Sequence, residues 1–526
     1  MKTRTLSFVS ALALSGALIA ALLVTPASAK KKPPPPPPPP PPPATWSTYV
    51  KDYVAVVDGA KCNVTPEAVQ TTSDGGSLVL ALLSTINNSS SSSCVGSNWL
   101  VKLDASGTPQ WHEVVGCVTP PAPGGYAFGL SLRRTSDGGF VIVGGTRDCE
   151  SNPICPYLTS IQCGLVQKLD AAGRLLWTRV YSASPTMTSF EEVRQTSDGG
   201  FVVAGSFIDA DSNIGALILK LDGQGNVRWQ RKIGPAGGTD AYFYDVHQTA
   251  NGGFVAAGEL APPTSCQYAH GCGQGVLVVK LDANGNVAWQ RAFNSFDSGG
   301  TPTASEHALT IAATSDGGSI VAGNWGNSFA SGACCRGALL LKLDANGNSQ
   351  WQKAYSGGVH CYSSFGTTCS AIGPLVYSVH QTSDGGYFLA GTGNLKDPFG
   401  APLAPWLARV DASGNLRWNR FYSQGFAGGP SSQYFASADL TSGGGFMALG
   451  FTTSVDSAGA LFAVKTDGDG LVGSCSQVRE GFPLDVLDPG LATIAPALPV
   501  QTTTSRQGDL PARTQPTSIG ATAGQC

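Results

Sequence analysis

Charged side chains are scarce in this chain: they make up 13% of its 526 residues, against roughly 25% in ordinary globular domains. The balance is slightly acidic, with 32 Lys plus Arg against 35 Asp plus Glu. Nucleic acid and anionic lipid are bound chiefly through Lys/Arg clusters, so both are disfavoured as partners. Familiar catalytic signatures are missing as well. There is no Gly-x-Ser-x-Gly elbow, no His-Glu-x-x-His and no phosphate-binding glycine loop, and the six histidines are scattered. After Val24 no apolar run is long enough to span a bilayer.

The start of the chain reads as an export signal. Lys2 and Arg4 precede an apolar run, Leu6–Val24, and Pro26 precedes the small-x-small site Ala27-Ser28-Ala29. Cleavage after Ala29 is expected. An uncleaved anchor is the alternative, but Lys30, Lys31 and Lys32 would then lie outside, against the positive-inside bias. Cleavage leaves 30 basic and 35 acidic residues and all 14 cysteines. An even cysteine count in an exported chain favours disulfides. The expected location is periplasmic, cell-surface or extracellular. Residues 30–44 are a Lys/Pro-rich linker in which Pro33–Pro43 is unbroken. It predicts a polyproline II spacer roughly 34 Å long, at about 3.1 Å per residue.

What the chain has in plenty is glycine, 67 residues, and it falls in two alternating motifs. One is Thr196-Ser-Asp-Gly-Gly-Phe-Val-Val-Ala-Gly205, with equivalents beginning at Thr72, Thr135, Thr249, Thr314, Thr382 and Thr441. The second Gly of each pair recurs at spacings of 63, 61, 53, 65, 68 and 59 residues, giving seven units of about sixty. The other motif is Lys280-Leu-Asp-Ala-Asn-Gly-Asn-Val-Ala-Trp289. Near-copies place Trp111, Trp177, Trp229, Trp351 and Trp418 seven residues after an Asp, and the seventh copy carries Ser474 instead. Both motifs predict hairpin turns, because Gly takes the positive φ that tight hairpins need.

Each unit therefore predicts four strands, as in Val193–Thr196, Phe201–Gly205, Ala216–Leu221 and Val227–Ile233. Their consecutive apolar residues predict burial on both faces. Seven such sheets covered by their neighbours make an all-β, seven-bladed β-propeller of four-stranded antiparallel blades over residues 45–475. Trp46-Ser-Thr-Tyr49 resembles Trp177-Thr-Arg-Val-Tyr181. The N-terminal segment is therefore expected to supply the seventh unit's fourth strand, with Trp46 as the missing tryptophan. Residues 476–526 lose the periodicity and are rich in Thr, Pro, Ala, Ser and Gln. A disordered or loosely draped tail is expected.

The Lys-Leu-Asp-x-x-Gly-x-x-x-Trp unit resembles the tryptophan-docking motif of quinoprotein-type propellers and their non-enzymatic relatives. The chain resembles still more closely the exported bacterial Thr-Ser-Asp-Gly-Gly repeat propellers, over roughly residues 46–475. The resemblance implies that Trp111, Trp177, Trp229, Trp289, Trp351 and Trp418 pack between adjacent blades. Quinoproteins carry eight such blades where this chain has seven units, which argues against a quinone cofactor. It also implies an alternative for adjacent Cys334 and Cys335, a vicinal disulfide stacked on such a cofactor.

Length variation marks the functional face. The distance from Asp to Trp is fixed at seven residues, whereas the Gly-Gly turn to the next docking Asp runs from 22 to 31. Variable loops on a rigid scaffold are where binding residues concentrate. Twelve cysteines are assigned to these loops and none to a strand, as staples contributing on the order of 2–4 kcal/mol each. The short-range pairs are Cys266–Cys272 and Cys361–Cys369, and Cys475–Cys526 would tie the tail back. Zinc on Cys266, His270 and Cys272 lacks a fourth ligand. Asp209, Asp211 and Asn213 resemble the start of a calcium loop without its Gly and distal Glu, and an ordinary polar loop is the competing reading. Arg133, Arg194, His247 and His380 share one position on the first strand of their units with Gln70, Ala312 and Asp439, and are expected to line a central channel.

These readings converge on an exported, monomeric binding scaffold for a protein or glycan partner, with no catalytic residue and no bound cofactor beyond the calcium candidate. The alternatives are a quinone- or metal-dependent oxidoreductase or a glycan-acting hydrolase on the same face. The hydrolase predicts two carboxylates converging at the channel mouth.

Overall fold

The computed structural model describes residues 49–57, 60–84, 97–117, 126–147, 162–183, 186–234, 239–261, 275–294, 304–327, 336–357, 359–362, 368–371, 373–394, 403–422, 433–453 and 459–473. Within the tail it describes 478–480, 485–487, 492–494, 500–502, 506–509, 512–515 and 517–522. The signal peptide, the proline run, Trp46, Cys266, Cys272, Cys334, Cys335, Cys475 and Cys526 lie outside these residues.

The described chain is all-β, without helix. Its strands form four-stranded antiparallel meanders, numbered here as sets in chain order. Set 1 comprises Asn63–Thr71, Ser77–Ser84, Ser97–Leu103 and Pro109–Cys117. Set 2 comprises Tyr126–Arg134, Phe140–Arg147, Gln162–Leu169 and Leu175–Ser182. Set 3 comprises Met187–Gln195, Phe201–Ile208, Ile214–Leu221 and Val227–Ile233. Sets 4, 5 and 6 begin with Asp240–Gln248, Ala304–Ala313 and Leu375–Gln381. Set 7 comprises Gln433–Leu440, Phe446–Thr452 and Ala460–Thr466, completed from the N-terminus by Tyr49–Val57. One parallel pair, Met187 with Gln162, joins sets 2 and 3 into a sheet of eight meander strands. This architecture is β-propeller-like.

The middle strands are buried along nearly their whole length, as Ile214–Leu221 illustrates with all but its first residue buried, because neighbouring sets cover both faces. First and fourth strands alternate, so burial on both faces holds only for the middle pair. Consecutive sets pack on each other, and the first strand of set 7 packs on that of set 1.

The two motifs clasp each other within a set. Lys220 Nζ lies 2.9 Å from the Asp198 carboxylate and donates to Leu221 O, while Thr196 Oγ1 and Gly200 N–H donate to the same carboxylate. Asp74–Lys102, Asp137–Lys168, Asp316–Lys342 and Asp384–Arg409 repeat the ion pair. Both glycines are dictated: Gly199 has φ 79°, and a Cβ on Gly200 would stand 2.2 Å from Leu221 O. In set 7, where Gly443 replaces the Asp, Lys465 instead donates to Gly75 O and Ala105 O of set 1.

Between sets, each docking tryptophan lies against the docking glycine of the next set. Trp111 meets Gly173, Trp177 meets Gly225, Trp229 meets Gly285, Trp289 meets Gly347, Trp351 meets Gly414 and Trp418 meets Gly470. The seventh place belongs to Tyr49, not Trp46. Tyr49 pairs with Lys465 as Trp177 pairs with Lys168, and its ring lies against Gly107. The sequence comparison was out of step by three residues at the tryptophan place, Trp46 for Tyr49, and by four at the tyrosine place, since Tyr53 and not Tyr49 corresponds to Tyr181.

The tail departs from expectation. Instead of lying loose, it adds a short antiparallel strand to the fourth strand of every set. Val478–Glu480 pairs with set 6, Asp485–Leu487 with set 5 and Ala492–Ile494 with set 4. Val500–Thr502, Arg506–Asp509 and Ala512–Gln515 follow on sets 3, 2 and 1. Thr517–Thr522 ends on Tyr49–Val57 of set 7. Successive strands begin 7, 7, 8, 6, 6 and 5 residues apart. Seven extended residues reach about 23 Å, enough to step from one outer edge to the next.

Candidate functional site

Every first strand carries a β-bulge at the same place, between Pro66 and Ala68 in set 1 and between Phe190 and Glu192 in set 3. The extra residue is Glu67, Leu130, Glu191, Tyr244, Leu309, Tyr377 or Ala436 in sets 1 to 7. All seven are half-buried, and in sets 1 to 5 both chain neighbours are buried. A bulge shifts strand alternation by one and re-aims a side chain. Here it turns out a residue that strict alternation would place inside the packing between sets.

Two of these extra residues, Glu67 and Glu191, come from sets that are not neighbours. Burial and the charge of Glu191 raise the Glu67 carboxyl to a pKa of about 8. Burial likewise raises Glu191, against a hydrogen bond from Ser189. Burial with the charges of Glu259 and Glu191 raises Tyr244, and burial with the charge of Glu67 raises Tyr434. Tyr242 and Tyr244 stack with centroids 6.0 Å apart. Glu67 has no hydrogen bond or ion pair among the described residues.

Three residues further along lie the expected channel residues, and these are engaged with protein partners. Arg133 holds Glu192 through Nε at 2.8 Å and Nη2 at 2.5 Å. Arg194 Nη2 reaches Asp245 at 3.3 Å, and Asp245 also accepts from Thr310 Oγ1 and Ile311 N–H at 2.9 Å. His247 sits 3.0 Å from Ser319 Oγ, and burial lowers its pKa to about 4, so it is neutral. His380 Nε2 donates to Ala438 O at 2.8 Å and is lowered by burial too. Asp439 accepts from Thr71 N–H and Oγ1 at 2.8 Å. Gln70 reaches Arg134 N–H, and Gln381 reaches Ser315 N–H, linking the remaining neighbours. Arg133, Arg194, His247 and His380 thus join sets to one another.

First strands run from the variable loops towards the Asp-Gly-Gly turns. The Glu/Tyr level therefore lies nearer the loops and the Arg/His level nearer the turns. Sequence reading found the second level because its residue types are conspicuous. It missed the first because Glu67, Glu191 and Tyr244 become aligned only when the repeats are superposed and the bulge is counted.

The other candidates resolve differently. Asp209, Asp211 and Asn213 form a hairpin turn in which Asp209 Oδ1 accepts from the N–H groups of Asp211 and Asn213 at 2.9 Å. The docking turn Asp222–Asn226 uses its aspartate identically. Turn chemistry accounts for these residues, and no cluster of three metal-ligating His, Cys, Asp or Glu occurs among the described residues. Cysteines do occur in strands, contrary to expectation. Cys117 and Cys163 stand at strand ends beside the loops, and Cys361 lies directly opposite Cys369 in a two-stranded hairpin. Cys62 and Cys163 are buried and disulfide-bonded. No protein-family model matches this chain, and no curated protein matches it.

Proposed function

We propose that the chain is an exported, closed seven-bladed β-propeller that binds a protein or glycan partner where an axial passage opens onto its disulfide-braced loop face. The reading is carried by one observation: the first strand of each set packs on that of the next, and that of set 7 packs on that of set 1, so the seven first strands surround a common axis. Ring closure is supported by the Tyr49–Val57 pairing and by the Thr71–Asp439 hydrogen bonds between sets 1 and 7. Export is supported by the leader sequence and the disulfide-bonded cysteines. Tyrosine rings beside carboxylates suit recognition of sugars or of basic, amphipathic groups.

The test is purification of the exported protein from its native host, with mass and metal analysis for bound ligand, followed by glycan-array binding. Retention of a glycan or peptide that Glu67→Gln and Tyr244→Ala abolish supports the reading. Binding unaffected by either variant overturns the assignment of the passage.

A second reading, a glycan-acting hydrolase, is favoured by the paired carboxylates. A carboxyl raised by burial and by the charge of a second carboxyl is suited to act as a general acid. Release of reducing sugar, lost in both Glu67→Gln and Glu191→Gln, would establish it, and inactivity across a broad glycan panel would remove it.

A further inference from the structure

The tail does not grip the seven sets equally. Its strands on sets 6, 5, 4 and 3 are three residues long, those on sets 2 and 1 are four, and Thr517–Thr522 on set 7 is six. All six of its residues pair with Asp52–Val57. The strand it lies on is also the exception in how it is tethered. In sets 1 to 6 the fourth strand follows the third through the docking turn, as Val227–Ile233 follows Ile214–Leu221 through Asp222–Asn226. In set 7 the same turn forms, with Asp467 N–H donating to Leu471 O, but the chain then leaves for set 6 and the tail. The fourth strand arrives instead from about four hundred residues away. Closing so long a loop costs more conformational entropy than closing a hairpin.

This closing strand is held in two halves. Tyr49–Tyr53 pairs with Leu461–Lys465 of set 7. Beyond Tyr53 the same edge is met by the strand's own continuation: Cys62 N–H donates to Ala55 O at 3.1 Å, and Val56 and Val57 pair with Lys61 and Ala60. Those contacts tie the second half to itself and not to set 7. On the opposite edge Thr517–Thr522 runs unbroken from Val57 to Asp52. Asp52 and Tyr53 are thereby paired on both sides, and one strand spans both halves.

We infer that Thr517–Thr522 is a latch on the seam: it keeps Tyr49–Val57 seated on set 7 and so sets how readily the ring opens there. The inference rests on the closed-ring reading above. The tail's other strands lie on fourth strands that a docking turn already tethers, so their loss frays an outer edge and leaves the seam shut. Seating the closing strand also places Tyr49 against Gly107 and the Tyr53 hydroxyl 2.6 Å from Gly107 O. An unlatched seam therefore loosens set 7 from set 1 as well.

The experiment is amide hydrogen exchange, read by mass spectrometry, on the full mature chain, on a chain ending at Gln515 and on two full-length variants. One variant carries Ser518→Pro with Ile519→Pro. Adjacent residues alternate in facing a partner strand, so this pair removes one N–H that points at the closing strand. The other carries Ala492→Pro with Thr493→Pro, the same injury on set 4. Both latch changes should speed exchange over Tyr49–Val57 at least about tenfold and lower the thermal midpoint. The set 4 change should speed exchange at Ala292–Asn294 and leave Tyr49–Val57 protected.

Unchanged exchange over Tyr49–Val57 in both latch changes, or an equal rise there in the set 4 variant, overturns the latch. Should the shortened chain fail to fold, the Ser518→Pro, Ile519→Pro variant, which keeps the whole tail, decides. Failure of the closed ring reads differently. If deleting Thr45–Asp58 keeps the full midpoint, there is no seam to latch. If that deletion unfolds the chain while the latch changes are silent, the ring stands and only the latch is wrong.

Discussion

Tyr49 packs its ring against Gly107, occupying in set 7 the place that tryptophan occupies in the other six sets. Tyr53, four residues on, donates from its hydroxyl to Gly107 O at 2.6 Å, as Tyr181 does to Gly225, Tyr355 to Gly414 and Tyr422 to Gly470. Lys51 lies over the Tyr49 ring at 5.4 Å, as Arg179 lies over Trp177. A segment some four hundred residues from the strand it pairs with thus reproduces the whole interface device.

Tyr49→Ala should therefore cost about 3 kcal/mol, the usual loss for truncating a buried aromatic, and lower the thermal midpoint by several degrees. Tyr49→Trp restores the repeat consensus and should be neutral or stabilising. Gly107→Ala should be worse than Tyr49→Ala, because its φ is 75° and its Cβ would stand 2.6 Å from the tyrosine ring. Thermal unfolding of the three variants checks the order, and a harmless Gly107→Ala would contradict the packing.

The Asp–Lys clasps give the fold an acid limit. At Asp198, burial pushes the carboxyl up, but hydrogen bonds from Thr196, Lys220 and Gly200 N–H outweigh it and hold the pKa at about 2. Asp137 and Asp316 are held at about 2 in the same way. A depressed folded pKa stabilises above the unfolded value near 3.8 and loses that contribution as pH falls towards 2. Midpoints should thus decline between about pH 4 and pH 2. Because these aspartates are half-exposed, each clasp contributes about 1 kcal/mol or less. Asp198→Asn should cost little at pH 7, since Asn251 serves at the equivalent place in set 4 with Thr249 Oγ1 donating to it, and it should flatten the acid decline.

The repeats made the meanders legible because glycine turns and docking tryptophans are fixed in spacing. Register was not legible at the seam. Trp46 and Tyr49 stand three residues apart, both aromatic, and only pairing with Lys465 distinguishes them. The bulges were hidden for a related reason: an inserted residue such as Glu191 breaks the alternation by which faces are assigned. The tail misled through composition. Three-residue strands such as Ala492–Ile494 are too short to show alternation, and their stability comes from an edge already made by Val287–Asn294.

Glu192 is the place where a single charge change should matter most. It is buried and takes a bidentate Arg133, and removing one member of such a pair strands the others. Glu192→Ala should cost about 3–5 kcal/mol, read as a lower urea midpoint at unchanged slope. Arg133→Met combined with Glu192→Leu should recover much of that loss, because the bidentate pair leaves together and Arg194 keeps Asp245 as its partner. Recovery no better than the sum of the single changes would argue that the arginine serves the packing of sets 2 and 3 in another way.

Removing the tail tests what the outer strands need. Fourth strands such as Val227–Ile233 would present open hydrogen-bonding edges without Val500–Thr502 and its counterparts, and open edges recruit strands from other molecules. A chain ending at Cys475 keeps all seven meanders and every docking contact, so it should fold. It should then self-associate, measured by light scattering at micromolar concentration, and be cut faster by protease at its outer loops. Deleting Thr45–Asp58 is a different injury, since it removes the fourth strand of set 7 together with Tyr49 and Tyr53, and it should lower the unfolding midpoint far more. If the tail-less chain stays monomeric at an unchanged midpoint, the belt does not shield the edges. If the Thr45–Asp58 deletion keeps the full midpoint, the seam is not closed by that strand.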